Sequence, residues 1–324
     1  MGLAAPAFLE VKMRKRTAII VPLVAVAVAG CSSEAARSSD ENVPSLRNPL
    51  DASSVSTPLD TYLPPPELTY TLHRAEVLLT NQCLRRLGYP DHPMPAPKER
   101  GRGRNHSEFL VFSMSQAAKL GYNTAMSSDP ARDSSWDKKT TGVQRGLLDG
   151  TLKRYKGESV PKGGCAAVAA DDLTVNSNVP KRLEGGGVEL KQLQKASPTS
   201  LGDAQVGIIR LDAISATKKD LRYIGMVRAW SSCMSKMGYE YETPERARDD
   251  ARWSGSVPSR AEKRTATADM ACKKKVDYLA VASSIQSTYE EKVIEGRKGE
   301  LSELRGNLKV WQKNATRVID RADG

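Results

Sequence analysis

Histidine, phenylalanine and tryptophan are scarce in this chain. There are three His, three Phe and four Trp in 324 residues, and aromatics make up 5% of the total. So few rings do not suggest a stacking platform, and no nucleic-acid partner is expected. His73, His92 and His106 have no metal-ligand spacing to any cysteine, and no two cysteines form a CxxC pair. A structural zinc site is therefore not expected, and no cofactor is implied. Beyond residue 30 no apolar run is long enough to span a bilayer. Nothing alternates apolar and polar for long enough to require a large sheet, so the expected fold is mainly α.

Catalytic patterns are equally thin. Ser-x-x-Lys spacings occur at Ser135–Lys138, Ser159–Lys162 and Ser215–Lys218. A chain rich in both residues gives that many by chance, and no Ser-Asp-Asn or Lys-Thr-Gly element accompanies them. Gly101-Arg102-Gly103-Arg104-Asn105-His106 lacks the third glycine and preceding strand of a dinucleotide loop. Asp171-Asp172, Asp249-Asp250 and Glu290-Glu291 are adjacent pairs. Adjacent residues point to different sides of a helix, so these read as solvated faces.

The N-terminus is more informative. A basic stub, Met13-Arg14-Lys15-Arg16, precedes the apolar run TAIIVPLVAVAVAG, which has the length of a signal-peptide core. Glu10 makes residues 1–12 a poor leader, so both Met1 and Met13 stay open as the start of translation. The run ends in Val28-Ala29-Gly30-Cys31, which resembles the lipobox of bacterial lipoproteins. That resemblance implies cleavage before Cys31, diacylglycerol on its sulfur, and a body held on the outer face of the cell membrane. Two acyl chains anchor durably where one is marginal. Residues 1–30 are thus the expected signal peptide, and residues 31–65 a lipidated N-terminus with a flexible, Ser/Pro/Asp-rich tether.

Net charge is +11 overall. The leader carries +3 and residues 32–62 carry −3, so the body beyond the tether also carries about +11. Such a body suits an anionic wall polymer or an envelope protein as partner. Arg100, Arg102 and Arg104, in the loop KERGRGRNH, are the expected polymer contact.

Besides Cys31, four cysteines remain: Cys83, Cys165, Cys233 and Cys272. An even number in an exported chain favours disulfides. Three connectivities are open, and the preferred one is Cys83–Cys165 with Cys233–Cys272. Each pair then joins a repeated phrase, CLRRLGY at 83–89 or CMSKMGY at 233–239, to the next cysteine along. Leu68, Leu72, Ala75, Leu79 and Cys83 share one helical face that begins at Pro66. Tyr223, Val227, Trp230, Met234 and Met237 do so on the helix that runs into the second phrase. In both, Gly then Tyr reads as a helix stop, with basic residues suiting the negative end of the dipole. Leu120-Gly121-Tyr122 reads as the same stop without a cysteine.

Two related, disulfide-stapled helical units are expected, at 66–200 and 201–324. In the first, residues 180–200 read as a loop around Gly185-Gly186-Gly187. In the second, residues 261–293 suit one long helix after a Ser259–Glu262 capping box, and GRKG at 296–299 separates it from a final amphipathic helix. Trp230-Ser231-Ser232-Cys233-Met234-Ser235-Lys236-Met237-Gly238-Tyr239 resembles a W-S-x-C-M-x-x-x-G-Y pattern of uncharacterised exported lipoproteins of actinomycetes. A second match is the A-D-x-A-C context at Ala268, Asp269, Ala271 and Cys272. The resemblance implies an exported helical fold and brings no activity. The expected role is a membrane-anchored binding or accessory protein of the cell envelope. The alternative is a cell-wall-directed hydrolase whose acidic residues meet only in the fold.

Overall fold

In the computed structural model, which describes residues 49–97, 106–123, 134–191, 193, 196–255 and 257–324, the chain is mainly helical. Two 3₁₀ turns, Ala52–Ser54 and Pro58–Tyr62, lead into α1 (Pro66–Arg86). A further 3₁₀ turn, Ser107–Phe109, precedes α2 (Met114–Leu120), α3 (Ser134–Lys139) and α4 (Gly142–Asp149). A short hairpin of β1 (Arg154–Tyr155) and β2 (Glu158–Ser159) leads to α5 (Gly164–Thr174). A second antiparallel hairpin, β3 (Arg182–Gly185) with β4 (Val188–Lys191), leads to α6 (Pro198–Thr217) and α7 (Leu221–Lys236). The chain ends with α8 (Pro244–Arg248), a 3₁₀ turn at Ala251–Trp253, α9 (Arg260–Lys275), α10 (Tyr278–Gly296) and α11 (Lys298–Asp323).

The two repeated phrases end their helices identically. Gly88 and Gly238 adopt left-handed φ of 75° and 84°. Gly88 N–H donates to Arg85 O at 2.9 Å and Tyr89 N–H to Leu84 O at 2.9 Å. At the second copy Gly238 donates to Ser235 O at 2.9 Å and Tyr239 to Met234 O at 3.0 Å. These paired bonds satisfy carbonyls the helix leaves over. Leu120-Gly121-Tyr122 differs. Gly121 has φ 59° and ψ −136°, and Tyr122 N–H turns instead to Glu262 Oε1 at 3.0 Å. This stop therefore docks α2 on α9 and does not repeat the other two.

The disulfides are Cys83–Cys165, joining α1 to α5, and Cys233–Cys272, joining α7 to α9. Each lies in its own apolar cluster, the first with Leu84, Leu87 and Leu147, the second with Trp230, Met234 and Ala268. The largest cluster joins Leu68 and Leu72 of α1, Leu173 of α5, Leu201 and Ile209 of α6, and Leu301, Leu304 and Trp311 of α11. This cluster draws on both expected units, and position 200/201 lies inside α6.

Three expectations are corrected. The tether 31–65 does not remain a solvated segment throughout. Residues 31–48 lie outside the described residues, but from residue 49 the chain is a strap on the body, with Leu50, Val55 and Leu59 each buried in a different cluster. Three well-spaced apolar residues seat it on the body, although its composition is polar. The helix expected over 261–293 is broken at Asp277, which takes φ 48°, so that α9 and α10 are separate. Aspartate tolerates the left-handed region better than most residues. Residues 182–191 form a hairpin and not a loop. Gly186 and Gly187, at φ 58° and 80°, make its turn, and a Cβ on Gly185 would sit 2.0 Å from Ile208 O. The glycines thus serve a tight turn and a close approach to α6.

Candidate functional site

Trp230 and Cys233 lie one turn apart on α7, and Asp269 and Cys272 lie one turn apart on α9. Trp230 is fully buried and donates its Nε1–H to Asp269 Oδ1 at 2.9 Å. Lys273 Nζ donates to Asp269 Oδ2 at 3.1 Å and to Leu110 O at 2.6 Å. Burial raises the Asp269 pKa and lowers that of Lys273, while their attraction opposes both shifts. The residues of the W-S-x-C and A-D-x-A-C stretches therefore meet in one dry joint between two helices, and Lys273 is no surface cation. Its neighbours Lys274 and Lys275 in the KKK run gave no sign of this.

A second polar cluster is the closest approach to a catalytic constellation among the described residues. Arg210, on α6, donates through Nε to Glu290 Oε1 at 2.9 Å and through Nη2 to Asp60 Oδ1 at 2.7 Å. His106 Nε2 lies 3.2 Å from Asp60 Oδ2, and its Nδ1 lies 3.1 Å from Glu108 Oε1. Gln286 donates to Glu290 Oε1 at 2.9 Å, and Leu59 N–H donates to Glu290 Oε2 at 2.8 Å. Burial alone would lower the His106 pKa, but hydrogen bonds and charge from Asp60 and Glu108 push it up to about 9. Asp60 meets the same burial penalty, yet His106, the Thr57 N–H and Arg210 hold it at about 2. Glu108 is lowered and Arg210 raised for like reasons.

Glu290, expected on a solvated face, is fully buried here because it neutralises Arg210 and caps the strap at Leu59. Asp60, Glu108 and Glu290 come from distant parts of the sequence, which is why no local pattern exposed them. The Asp60 and His106 side chains are 0% and 1% exposed, so no substrate reaches them. The network clamps the strap to α6 and α10.

The other residues of interest scatter. Cys31, Arg100, Arg102 and Arg104 lie outside the described residues, as does the glycine pattern from residue 101 up to His106. Asp171 and Asp172 are exposed, as expected. Asp250 is taken up by Arg252 at 2.6 Å, and its carboxyl is held well below the usual range mainly by that hydrogen bond. Ser159 sits exposed in β2, and Ser215 sits on α6 one turn before Lys218. Among the described residues no group of three His, Cys, Asp or Glu side chains is arranged to hold a metal ion, and no helix is long and apolar enough to cross a membrane.

Two surface features remain. A recess of about 370 Å³ adjoins the second phrase, between Tyr239, Tyr241, Arg252, Trp253 and Arg264. A shallow depression runs along the outer face of α11 beside Lys309, Lys313, Arg317 and Arg321. No known protein family, curated protein or solved structure shows significant similarity to this chain.

Proposed function

We propose that this chain is a lipid-anchored protein on the outer face of the cell membrane, attached through Cys31, with a binding or accessory role in the cell envelope. The observation that carries the reading is the pair of disulfides, each stapling two helices inside an apolar cluster. Such bonds form and persist in oxidising compartments. They agree with the leader and with the Val28-Ala29-Gly30-Cys31 stretch. The strap that follows the anchor is pinned into the body by Arg210, so a pull on the tether is transmitted to α6 and α10.

The state of the acidic residues favours binding over wall hydrolysis. Asp60, Glu108 and Glu290 converge but are taken up by Arg210, His106 and Gln286. A general acid needs an open approach to its substrate. Cells grown with a clickable fatty acid test the anchor: the chain is expected to carry label, and Cys31→Ala is expected to abolish it. Label on Cys31→Ala contradicts the anchor, and solubilisation of purified wall material by the chain contradicts the binding role.

A further inference from the structure

Helix α11 is 26 residues long and strongly two-faced. Leu301, Leu304, Leu308, Trp311 and Ala315 are buried against the core. On the outer side Arg305, Lys309, Lys313, Arg317 and Arg321 recur every fourth residue, and all five are exposed. None of them forms an ion pair with the described residues. By contrast, Arg297, Lys298 and Asp323, near the ends of the same helix, are all paired. Arg305 lies over the Tyr62 ring at 4.2 Å, which fixes one end of the row to the strap. Gln312 and Thr316 add uncharged donors beside the row, and Asp320 is the single acid in that depression.

The geometry of the row selects among anionic partners. Each step of four residues rises about 6 Å and turns about 40°, so the five cations span about 24 Å along the axis while winding through about 160°. A flat bilayer meets only part of such an arc at once, whereas a flexible chain can follow it. The strap also enters the body elsewhere, with Leu50 in the cluster of Trp230 and Met270, and meets α11 through the later turn Pro58–Tyr62. The basic row is therefore not at the point where the chain arrives from its anchor.

We propose that the outer face of α11 binds a linear phosphate-bearing polymer of the cell wall. The polymer's location rests on the envelope assignment above, but the binding itself does not. Release of counterions from such a polymer would make binding weaken steeply with salt.

The test uses the full chain carrying Cys31→Ser and long-chain inorganic polyphosphate as the probe, with salt titrated. Each phosphate contact on a single strand contributes about 0.7 to the slope of log affinity against log salt. Lys309→Gln, Lys313→Gln and Arg317→Gln together should lower that slope by about 2 and the affinity at low salt by about tenfold or more. Because these side chains are exposed, the melting curve should not move. Lys219→Gln, Lys236→Gln and Lys274→Gln together remove the same charge elsewhere on the surface and should leave affinity within about twofold. Equal losses in the two triple variants would overturn the proposal, since net charge alone would then explain the binding. So would failure to bind polyphosphate at low salt, or tighter binding to phosphatidylglycerol vesicles than to polyphosphate. No lipid is attached in this assay, so its failure leaves the acylation test untouched.

Discussion

The indole N–H of Trp230 reaches Asp269 Oδ1 at 2.9 Å, one helical turn from the bridge between Cys233 and Cys272. A covalent and a polar bond thus join the same two helices side by side. Trp230→Phe removes the donor together with part of the buried ring, and the small void left behind adds to the cost. A buried carboxylate then loses one of its partners, at a cost of about 1–3 kcal/mol. Urea unfolding followed by circular dichroism checks this: a lower midpoint with unchanged slope is expected. A midpoint equal to the parent's would show that the bond is dispensable.

Peptide mapping without reduction should yield Cys83 linked to Cys165 and Cys233 linked to Cys272, with no cross-link between the two pairs. The bridges close stretches of 82 and 39 residues. On the chain-entropy model each is then worth about 4 kcal/mol. Replacing either pair by serine should lower stability by an amount of that order, read from the same urea curves. A Cys83–Cys233 peptide would contradict the arrangement.

The clamp on the strap has a defined pH window. His106 gains its proton affinity on folding, with its pKa raised from 6.5 to about 9. Its contribution is therefore complete below about pH 6.5 and is lost as pH rises through about 9. Asp60 is shifted downward to about 2, so its contribution is present above about pH 4 and lost as pH falls through about 2. Stability should be greatest between those limits. Raising the pH from 6 to 9.5 should cost up to about 3 kcal/mol. His106→Gln should flatten that alkaline limb, as measured by urea midpoints across the range. Arg210→Met leaves buried Glu290 without its cation and Asp60 with only His106, and a loss of about 3–5 kcal/mol is expected. Limited proteolysis should then cut within residues 49–63 before any helix.

Helix faces and helix ends could be read directly from the residues. Leu68 to Cys83 recur with the period of a helix, and Gly88 and Gly238 stop helices because glycine takes positive φ without strain. The disulfide pairing was also legible, but which polar side chains find distant partners was not. Asp60 sits in a Ser/Pro-rich stretch that looks solvated until Arg210, 150 residues away, is placed beside it. Glu290 and Lys273 lie in runs of like charge, where sequence gives no sign of which member turns inward. The three converging carboxylates were hidden for the same reason. The break at Asp277 was missed because the apolar spacing continues across it.

Gly121 and Gly238 look alike in sequence but should respond differently to alanine. At Gly238 nothing lies within 4 Å of a new Cβ, so only the left-handed backbone opposes it, at a cost of about 1–2 kcal/mol. At Gly121 a Cβ would sit 2.6 Å from Glu262 Oε1, the acceptor for Tyr122 N–H. Gly121→Ala should therefore be clearly the more destabilising, as judged by paired thermal melts. Equal shifts would remove the special role assigned to the contact between α2 and α9.

The most direct measurement is the mass of the N-terminal peptide of the chain isolated from the cells that make it. The expected peptide begins at Cys31 and carries a diacylglycerol on the sulfur. A peptide that retains residues before Cys31, or one with an unmodified Cys31, would contradict the lipid-anchored reading.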